Sequence, residues 1–142
     1  MSQPPDSSGR PVVEVAAGLI FRNHRVLLAQ RPDGTHLAGL WEFPGGKREP
    51  QESWENCLER ELREELGVAV EVGECVFEQA HDYPARRVLL RFYRCRLTRG
   101  EPVGLDGQEL AWVTAAELDQ YDFPPADLDL VGRLRTGGKL WV

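Results

Sequence analysis

The sequence predicts an α/β fold in which helices cover both faces of a mixed β-sheet, an α/β/α sandwich. Apolar, strand-like segments both precede and follow one long amphipathic segment, residues 54–66, and a second helical pattern lies near the end of the chain. Strands before a helix, strands after it and a terminal helix are typical of such a layered arrangement.

The predicted strands of the first part lead to the long helix. Residues 12–21 form an apolar run that predicts a buried strand, and residues 25–30 follow after a short turn as the second strand of a hairpin. Residues 31–40 contain glycines and a proline, which predicts a loop, and residues 41–43 predict a short strand. His36 in this loop could contact a substrate, although a plain loop histidine is the simpler interpretation.

The long helix has capping residues at both ends. Ser53 is a candidate N-cap, and Gly67 fits the position just beyond the last turn. A stripe of apolar residues follows one edge: Trp54, Leu58, Leu62 and Leu66. Glu61, Glu64 and Glu65 lie beside this stripe, within roughly 100° of arc. The sequence therefore predicts a helix with one buried edge and an acidic edge next to it.

The second part of the chain returns to the sheet. Residues 68–77 predict a strand interrupted at Gly73, residues 79–87 a loop, and residues 88–97 a central strand. The turn-rich residues 100–107 predict another loop.

The chain ends in predicted helices. After a last strand at residues 110–113, Thr114 and Glu117 form a capping box that predicts a short helix. Pro124-Pro125 begins another helix, which Gly137-Gly138 ends. The apolar positions of this helix are Leu128, Leu130, Val131 and Leu134.

Length and composition predict one domain, residues 11–142, preceded by a disordered polar tail, residues 1–10. No apolar run approaches the ~20 residues of a membrane span, and the tail lacks the centre of a secretory signal, so we expect a cytoplasmic protein. The net charge of −6 argues against stable nucleic-acid binding. The three cysteines lack C-x-x-C spacing, and we interpret them as small buried residues.

The acidic edge by itself lowers the stability of the long helix. Glu61 and Glu65 are four residues apart, where like charges destabilise a helix by a few tenths of a kcal/mol, and crowded carboxylates raise one another's pKa. A hard divalent cation, Mg²⁺ or Mn²⁺, would remove both effects. For these carboxylates alone, a solvated acidic face is the simpler interpretation.

The spacing around the carboxylates is far more specific. Read from Gly46, the chain fits G-x5-E-x7-R-E-U-x-E-E-x-G-U, with U an aliphatic residue, at every fixed position. The matching residues are Gly46, Glu52, Arg60, Glu61, Leu62, Glu64, Glu65, Gly67 and Val68. This motif resembles the signature of the Nudix hydrolases.

The resemblance implies a Nudix fold and a metal-dependent hydrolase that cleaves a nucleoside diphosphate linked to another moiety. Implied metal ligands are Glu61, Glu64, Glu65 and the Gly45 carbonyl, with Glu52 a weaker candidate. Glu61, Glu64 and Arg60 are the implied catalytic residues, Arg60 holding a carboxylate in place, and Lys47 is implied to face the phosphates. The glycines of Pro44-Gly45-Gly46 are expected to allow a tight turn and a close approach to a ligand.

A loop acid outside the helix often positions the attacking water in this family. Asp106 and Glu109 are the acidic candidates before the last strand. Alignment of GLDGQELAW with the MutT branch of nucleoside triphosphate pyrophosphohydrolases puts Asp106 where that branch carries Glu, and the choice between the two acids stays open.

Two further stretches resemble the MutT branch, LLAQRPDGTHLAGLWEFPGGK and DFPPAD. On this resemblance Arg31, Phe43 and Asp127 line a base pocket. The enzyme for oxidised guanine has Asn at the position of Asp127; Asn both donates and accepts, whereas an ionised Asp only accepts. An acceptor fits the exocyclic amine of cytosine or the N–H groups of guanine. Alternatively, Asp127 is an acid that complements a helix dipole.

The predicted function is hydrolysis of nucleoside triphosphates, with oxidised ones such as 8-oxo-dGTP among the candidates, to a monophosphate and pyrophosphate. A Nudix hydrolase for CTP-type substrates, ADP-ribose or a dinucleoside polyphosphate is an alternative, as is a non-catalytic nucleotide-binding module. The predicted assembly is a monomer or small homo-oligomer.

Overall fold

The structure is a computed structural model that describes residues 9–35 and 37–141. Residues 1–8, which make up most of the predicted tail, and His36 lie outside the described residues, so the predictions for these nine residues fall outside the structure.

The described residues form seven strands, two α-helices and three short 3₁₀ helices. The strands are β1 (Val12–Arg22), β2 (Arg25–Gln30), β3 (Trp41–Glu42), β4 (Gly45–Lys47), β5 (Ala69–Tyr83), β6 (Arg86–Arg99) and β7 (Leu110–Val113). The α-helices are α1 (Trp54–Leu66) and α2 (Leu128–Arg135), and the 3₁₀ helices are Ala116–Gln120, Pro125–Asp127 and Lys139–Trp141.

The sheet is mixed, as predicted. The strand order is β3-β2-β1-β6-β5, with β4 paired to β1 and β7 paired to β2. β1 and β6 are parallel, whereas the other described pairs are antiparallel.

Two apolar clusters lie on opposite faces of this sheet. Leu58 and Leu62 of α1 pack with Ile20 of β1 on one face. Leu130 and Leu134 of α2 pack on the other face, in the cluster that contains neighbouring residues of β1. The predicted α/β/α sandwich is therefore confirmed.

Helix α1 begins and ends at its predicted caps. The Asn56 N–H donates to Ser53 Oγ at 3.0 Å, and Gly67 has a left-handed φ of 69° while its N–H donates to the Arg63 carbonyl. Because Leu58 and Leu62 are fully buried, the rotation of the helix is fixed and its acidic edge lies beside the sheet.

The predicted loop at residues 79–87 is wrong. β5 and β6 continue through this segment as one hairpin whose last paired residues are Tyr83 and Arg86. β5 is an edge strand, and its polar residues pair with basic residues across the ladder; Glu78 and Arg91 lie 2.9 Å apart. A polar sequence can form a strand here because the outer edge of β5 faces solvent and ion pairs link its acidic side chains to β6.

The end of the chain agrees with its capping signals but not with the predicted helix type. The Thr114 N–H donates to the Glu117 carboxylate at 2.8 Å, as in a capping box, yet the segment is a 3₁₀ helix. The proline-initiated segment also begins as a 3₁₀ turn, so α2 starts only at Leu128, which is exposed rather than buried.

Cys57 and Cys95 are buried as predicted, and burial raises the pKa of both thiols to about 12. Cys75 is exposed, which contradicts the prediction for that residue. Within the described residues, no helix is long and apolar enough to cross a membrane.

Candidate active site

A cleft opens where strand β1 changes its partner. One edge of β1 pairs with β6, so β2 and β4 share the other edge. Within β1, only Phe21 and Arg22 at its end pair with β2, whereas residues 15–17 pair with β4. β2 therefore diverges from β1, and a cavity of about 400 Å³ lies beside the part of β1 that pairs with β4, lined by Val15, Ala17, Gly45 and Gly46.

This cavity brings most of the predicted site together. Its walls include Arg31, Phe43, Gly45, Lys47, Glu61, Glu65 and Asp127. Arg60, Glu64 and Asp106, also predicted, do not line it. Burial is the main cause that raises the pKa of both Glu65 and Asp127, and the charge of Glu42, which also lines the cavity, adds to both.

The glycine pair does not form the predicted tight turn. Gly45 and Gly46 are extended residues of β4, paired with Ala17 and Ala16 of β1. A Cβ on Gly45 would lie 2.0 Å from the Ala16 carbonyl oxygen, and one on Gly46 would lie 2.2 Å from the Glu61 carboxyl carbon. The glycines are therefore required for the close approach of β1 and of Glu61 to β4.

Replacing each glycine in turn should show that Gly45 is needed for folding and that Gly46 is needed for the position of Glu61. Gly45→Ala forces β4 away from backbone atoms, so we expect it to lower the free energy of unfolding by about 1–3 kcal/mol or more. Gly46→Ala meets only the end of a flexible side chain, so it should displace the Glu61 carboxylate with a smaller loss of stability. Thermal unfolding of both variants, with activity measured across a Mg²⁺ titration, checks this. Equal destabilisation with an unchanged Mg²⁺ requirement would contradict it.

Arg60 ties the loop before α1 to the acidic edge. Its Nε and Nη2 donate to both carboxylate oxygens of Glu52, at 3.0 and 2.6 Å. Its Nη1 donates to Glu61 at 2.9 Å and to Glu64 at 3.2 Å, which confirms the predicted Arg60–Glu64 ion pair. Hydrogen bonding to Arg60 lowers the pKa of Glu52 to about 2. Both oxygens of Glu52 are thus engaged by Arg60.

Glu61 and Glu65 lie close enough to share a hydrogen bond. Burial raises the pKa of both carboxyls; for Glu65, burial and the neighbouring charges, Glu61 first among them, raise it to about 8. Two half-buried carboxyls that share a proton form a set of oxygen donors in which a hard divalent cation can replace the proton. The donor set therefore fits a divalent metal ion.

The third predicted carboxylate stands apart from this pair. The Glu64 side chain is 57% exposed and is held by Arg60. Within residues 9–35 and 37–141, no three carboxylate, imidazole or thiol groups surround one point as metal ligands do. A site with three carboxylate ligands would therefore require Glu64 to turn towards Glu61 and Glu65.

The opposite end of the cavity is lined by aromatic and acidic groups. Phe43 is only 3% exposed and stacks on Phe123, with ring centroids 5.7 Å apart. Asp127 is 6% exposed and makes no capping hydrogen bond to α2. Burial, followed by the charge of Glu42, raises the pKa of Asp127 to about 7. Asp127 therefore lies in the cavity wall, where the pocket interpretation requires it to be.

Three polar residues of the cavity wall were not predicted as site residues: Glu42, Tyr83 and Arg86. Glu42 Oε2 lies 2.8 Å from Arg31 Nη1, and burial raises the pKa of the Glu42 carboxyl. The signal for Glu42 was present in the stretch LWEFPGGK that carries the family resemblance. Tyr83 and Arg86 were missed because their segment was interpreted as a loop.

The loop before β7 docks on the C-terminal end of α1. The backbone N–H groups of Val103 and Leu105 donate to the carbonyls of Leu66 and Glu65, at 3.1 and 3.0 Å. This docking brings Asp106 near enough for its charge to raise the pKa of Glu65. Glu109 is exposed, and its backbone carbonyl accepts from Gln30.

The chain is similar to proteins of known sequence and structure. Residues 16–133 match the family profile of the NUDIX domain. The chain is 42% identical over 120 residues to the CTP pyrophosphohydrolase of Escherichia coli, covering 84% of this chain and 89% of that protein. It is 39% identical over 127 residues to the 8-oxo-dGTP diphosphatase of Haemophilus influenzae, covering 88% and 93%. The solution structure of the E. coli ORF135 protein is similar, with a TM-score of 0.75 and 37% identity over 93% of this chain and 98% of that chain.

Proposed function

This chain belongs to the Nudix hydrolase family, and from that premise we propose that it hydrolyses nucleoside triphosphates to a monophosphate and pyrophosphate with Mg²⁺ or Mn²⁺. The observation that carries the proposal is that one cavity joins the acidic edge of α1 to an aromatic and acidic wall. A nucleotide has matching parts, because its phosphates need cations and its base needs an apolar surface with polar groups at the edge.

The end of the cavity that is lined by the acidic edge of α1 would bind the phosphates, and its residues have different roles in this proposal. Glu61, Glu64, Glu65 and the Gly45 carbonyl would hold the metal ion, which when bound neutralises phosphate charge and activates water. Arg60 orients Glu61 and Glu64 through its hydrogen bonds. Lys47, an exposed cation at the cavity wall, would attract the phosphates. Asp106 is the preferred candidate to position the attacking water, because its charge reaches Glu65.

At the base end, Phe43 would provide the apolar surface, and Asp127 would bind the edge of the base. A carboxyl with a pKa near 7 is present in two forms at neutral pH. The neutral form both donates and accepts, like Asn, whereas the ionised form only accepts. The neutral form suits guanine and 8-oxoguanine, and the ionised form suits the exocyclic amine of cytosine.

CTP is accordingly the second candidate substrate. Relatives at comparable identity are a CTP pyrophosphohydrolase and an 8-oxo-dGTP diphosphatase. The observation that favours CTP is the acid at position 127 in the cavity wall, because the resemblance puts Asn there in the oxidised-guanine enzyme and only an acid can ionise to a pure acceptor. A non-catalytic binding module would have no need of the acidic edge, so the intact edge favours the hydrolase.

The test is a screen of normal and oxidised nucleoside triphosphates, with ADP-ribose and a dinucleoside polyphosphate included, in which inorganic products are identified. We expect pyrophosphate as the inorganic product of a nucleoside triphosphate, because cleavage between the α- and β-phosphates releases it. Activity should disappear in excess chelator and return with Mg²⁺. Orthophosphate as the only inorganic product, or full activity in chelator, would contradict the proposal.

A further inference from the structure

The β5–β6 hairpin ends against the candidate active site. Tyr83 and Arg86 are directly opposite each other in the strand register, so their side chains lie on the same face of the hairpin. Both side chains line the cavity. The tip of the hairpin therefore forms part of the cavity wall.

The outer side of the tip is fixed by contacts with the start of the described chain. Arg10 Nη1 donates to the Tyr83 carbonyl at 3.3 Å, and Arg10 Nη2 lies 3.2 Å from the Asp82 carboxylate. The Arg87 N–H donates to the Pro11 carbonyl at 2.9 Å. These contacts hold the backbone of Tyr83 from the side away from the cavity.

On the inner side, Tyr83 contacts the element that carries Asp127. A hydrogen bond joins the Tyr83 phenol to the backbone of Ala126, the residue before Asp127 in its 3₁₀ helix. The charge of Asp127 also reaches the phenol, whose pKa is raised chiefly by burial, so the phenol is neutral at physiological pH. The ring of His81 lies 4.7 Å from the Tyr83 ring and restricts its movement.

Because Asp127 is buried, its carboxyl cannot move unless the cavity wall around it moves as well. Asp127 is 6% exposed although it belongs to a 3₁₀ helix of only three residues, which has few hydrogen bonds of its own. Contacts from outside must therefore hold this short helix in place, and Tyr83 supplies one of them.

We propose that Tyr83 is a specificity-determining residue of the base site, whose ring closes the cavity beside Asp127 and whose hydroxyl anchors the 3₁₀ helix that presents Asp127. This inference rests on the proposed function, because it assigns Tyr83 to the selection of the base. Tyr83 acts through Asp127 and through the shape of the wall, not through the acidic edge of α1.

The test compares Tyr83→Phe and Tyr83→Val with the unchanged protein. For each, kcat/KM is measured for the guanine, 8-oxoguanine, cytosine and adenine triphosphates, and thermal unfolding reports on the fold. Tyr83→Val opens the wall, so we expect the ratios among the four substrates to change by roughly tenfold or more. Tyr83→Phe keeps the ring and loses only the anchor, so its ratios should change in the same direction by a smaller factor.

Asp82→Asn is the matched control, since it lies next to Tyr83 in β5 but pairs outward with Arg10 and Arg87. It should leave the ratios unchanged even if it lowers stability. Equal losses for all four substrates in both Tyr83 variants would overturn the inference and leave Tyr83 with a purely structural role. If the unchanged protein hydrolyses none of the triphosphates, the proposed function itself fails, and the two failures are therefore distinguishable.

Discussion

Glu65→Gln is expected to lower kcat by about 100- to 1,000-fold while the fold stays intact. The substitution keeps the shape of the side chain and removes a carboxyl that, together with Glu61, would bind the metal ion once its proton is displaced. Losing one fixed electrostatic group at a reacting centre typically costs this much. Initial rates across a Mg²⁺ titration measure the effect, and near-normal turnover at low Mg²⁺ would show that Glu65 does not bind the metal.

The stability of the same variant provides an independent readout. The pKa of Glu65 is about 8 in the folded protein, above the value of 4.5 for the free side chain. For a group whose folded pKa is raised, the stabilisation is complete below the unfolded pKa and is lost as the pH rises through the folded pKa. Gln cannot ionise, so the metal-free variant should be at least as stable as the parent, and its advantage should grow between about pH 4.5 and about pH 8.

Glu59→Gln is a suitable control, because Glu59 is an exposed residue of the same helix. It makes the same chemical change on the same helix but lies outside the cavity, so activity and its Mg²⁺ dependence should not change. Melting curves of the two metal-free variants, compared at several pH values, would separate the effect of the buried carboxyl pair from that of net charge.

Helix α1 could be predicted from the sequence because its determinants are local. Ser53 and Gly67 cap it, and the apolar period of 3.6 residues fixes which edge is buried. The three carboxylates are within five residues of each other, so their common edge follows from helical geometry. The family motif lies in the same stretch, which explains why the acidic half of the candidate site was identified without a structure.

Features that depend on distant partners could not be predicted in the same way. Gly45 and Gly46 suggest a turn by composition, but their conformation is set by β1 and by Glu61, which approach them from other parts of the chain. The polar stretch ending at Tyr83 is a strand because β6 pairs with it. Its contribution to the cavity follows from this long-range pairing, which no short sequence window contains.

The protonation of Asp127 is another property that only the folded environment determines. From the sequence, an Asp in place of Asn suggests an acceptor-only group. The structure buries this carboxyl beside Glu42, and its pKa rises to about 7, so near neutral pH a large fraction is the neutral acid. The Asn-like and the ionised forms would then favour different bases within one pocket.

Asp127→Asn is therefore expected to change the ranking of bases and to remove its dependence on pH. In the unchanged protein, kcat/KM for the cytosine triphosphate relative to the guanine triphosphate should rise as the pH increases through about 7, because ionisation replaces a donor by an acceptor. Asn keeps the donor at every pH, so the variant should favour the guanine triphosphate by about 1–3 kcal/mol relative to the ionised parent. The ratio of the two kcat/KM values should therefore not change with pH in the variant. Because both substrates are measured at the same pH, any effect of pH on the attacking water changes both rates equally and cancels in their ratio. A ratio that varies with pH identically in both proteins would exclude Asp127 from base recognition.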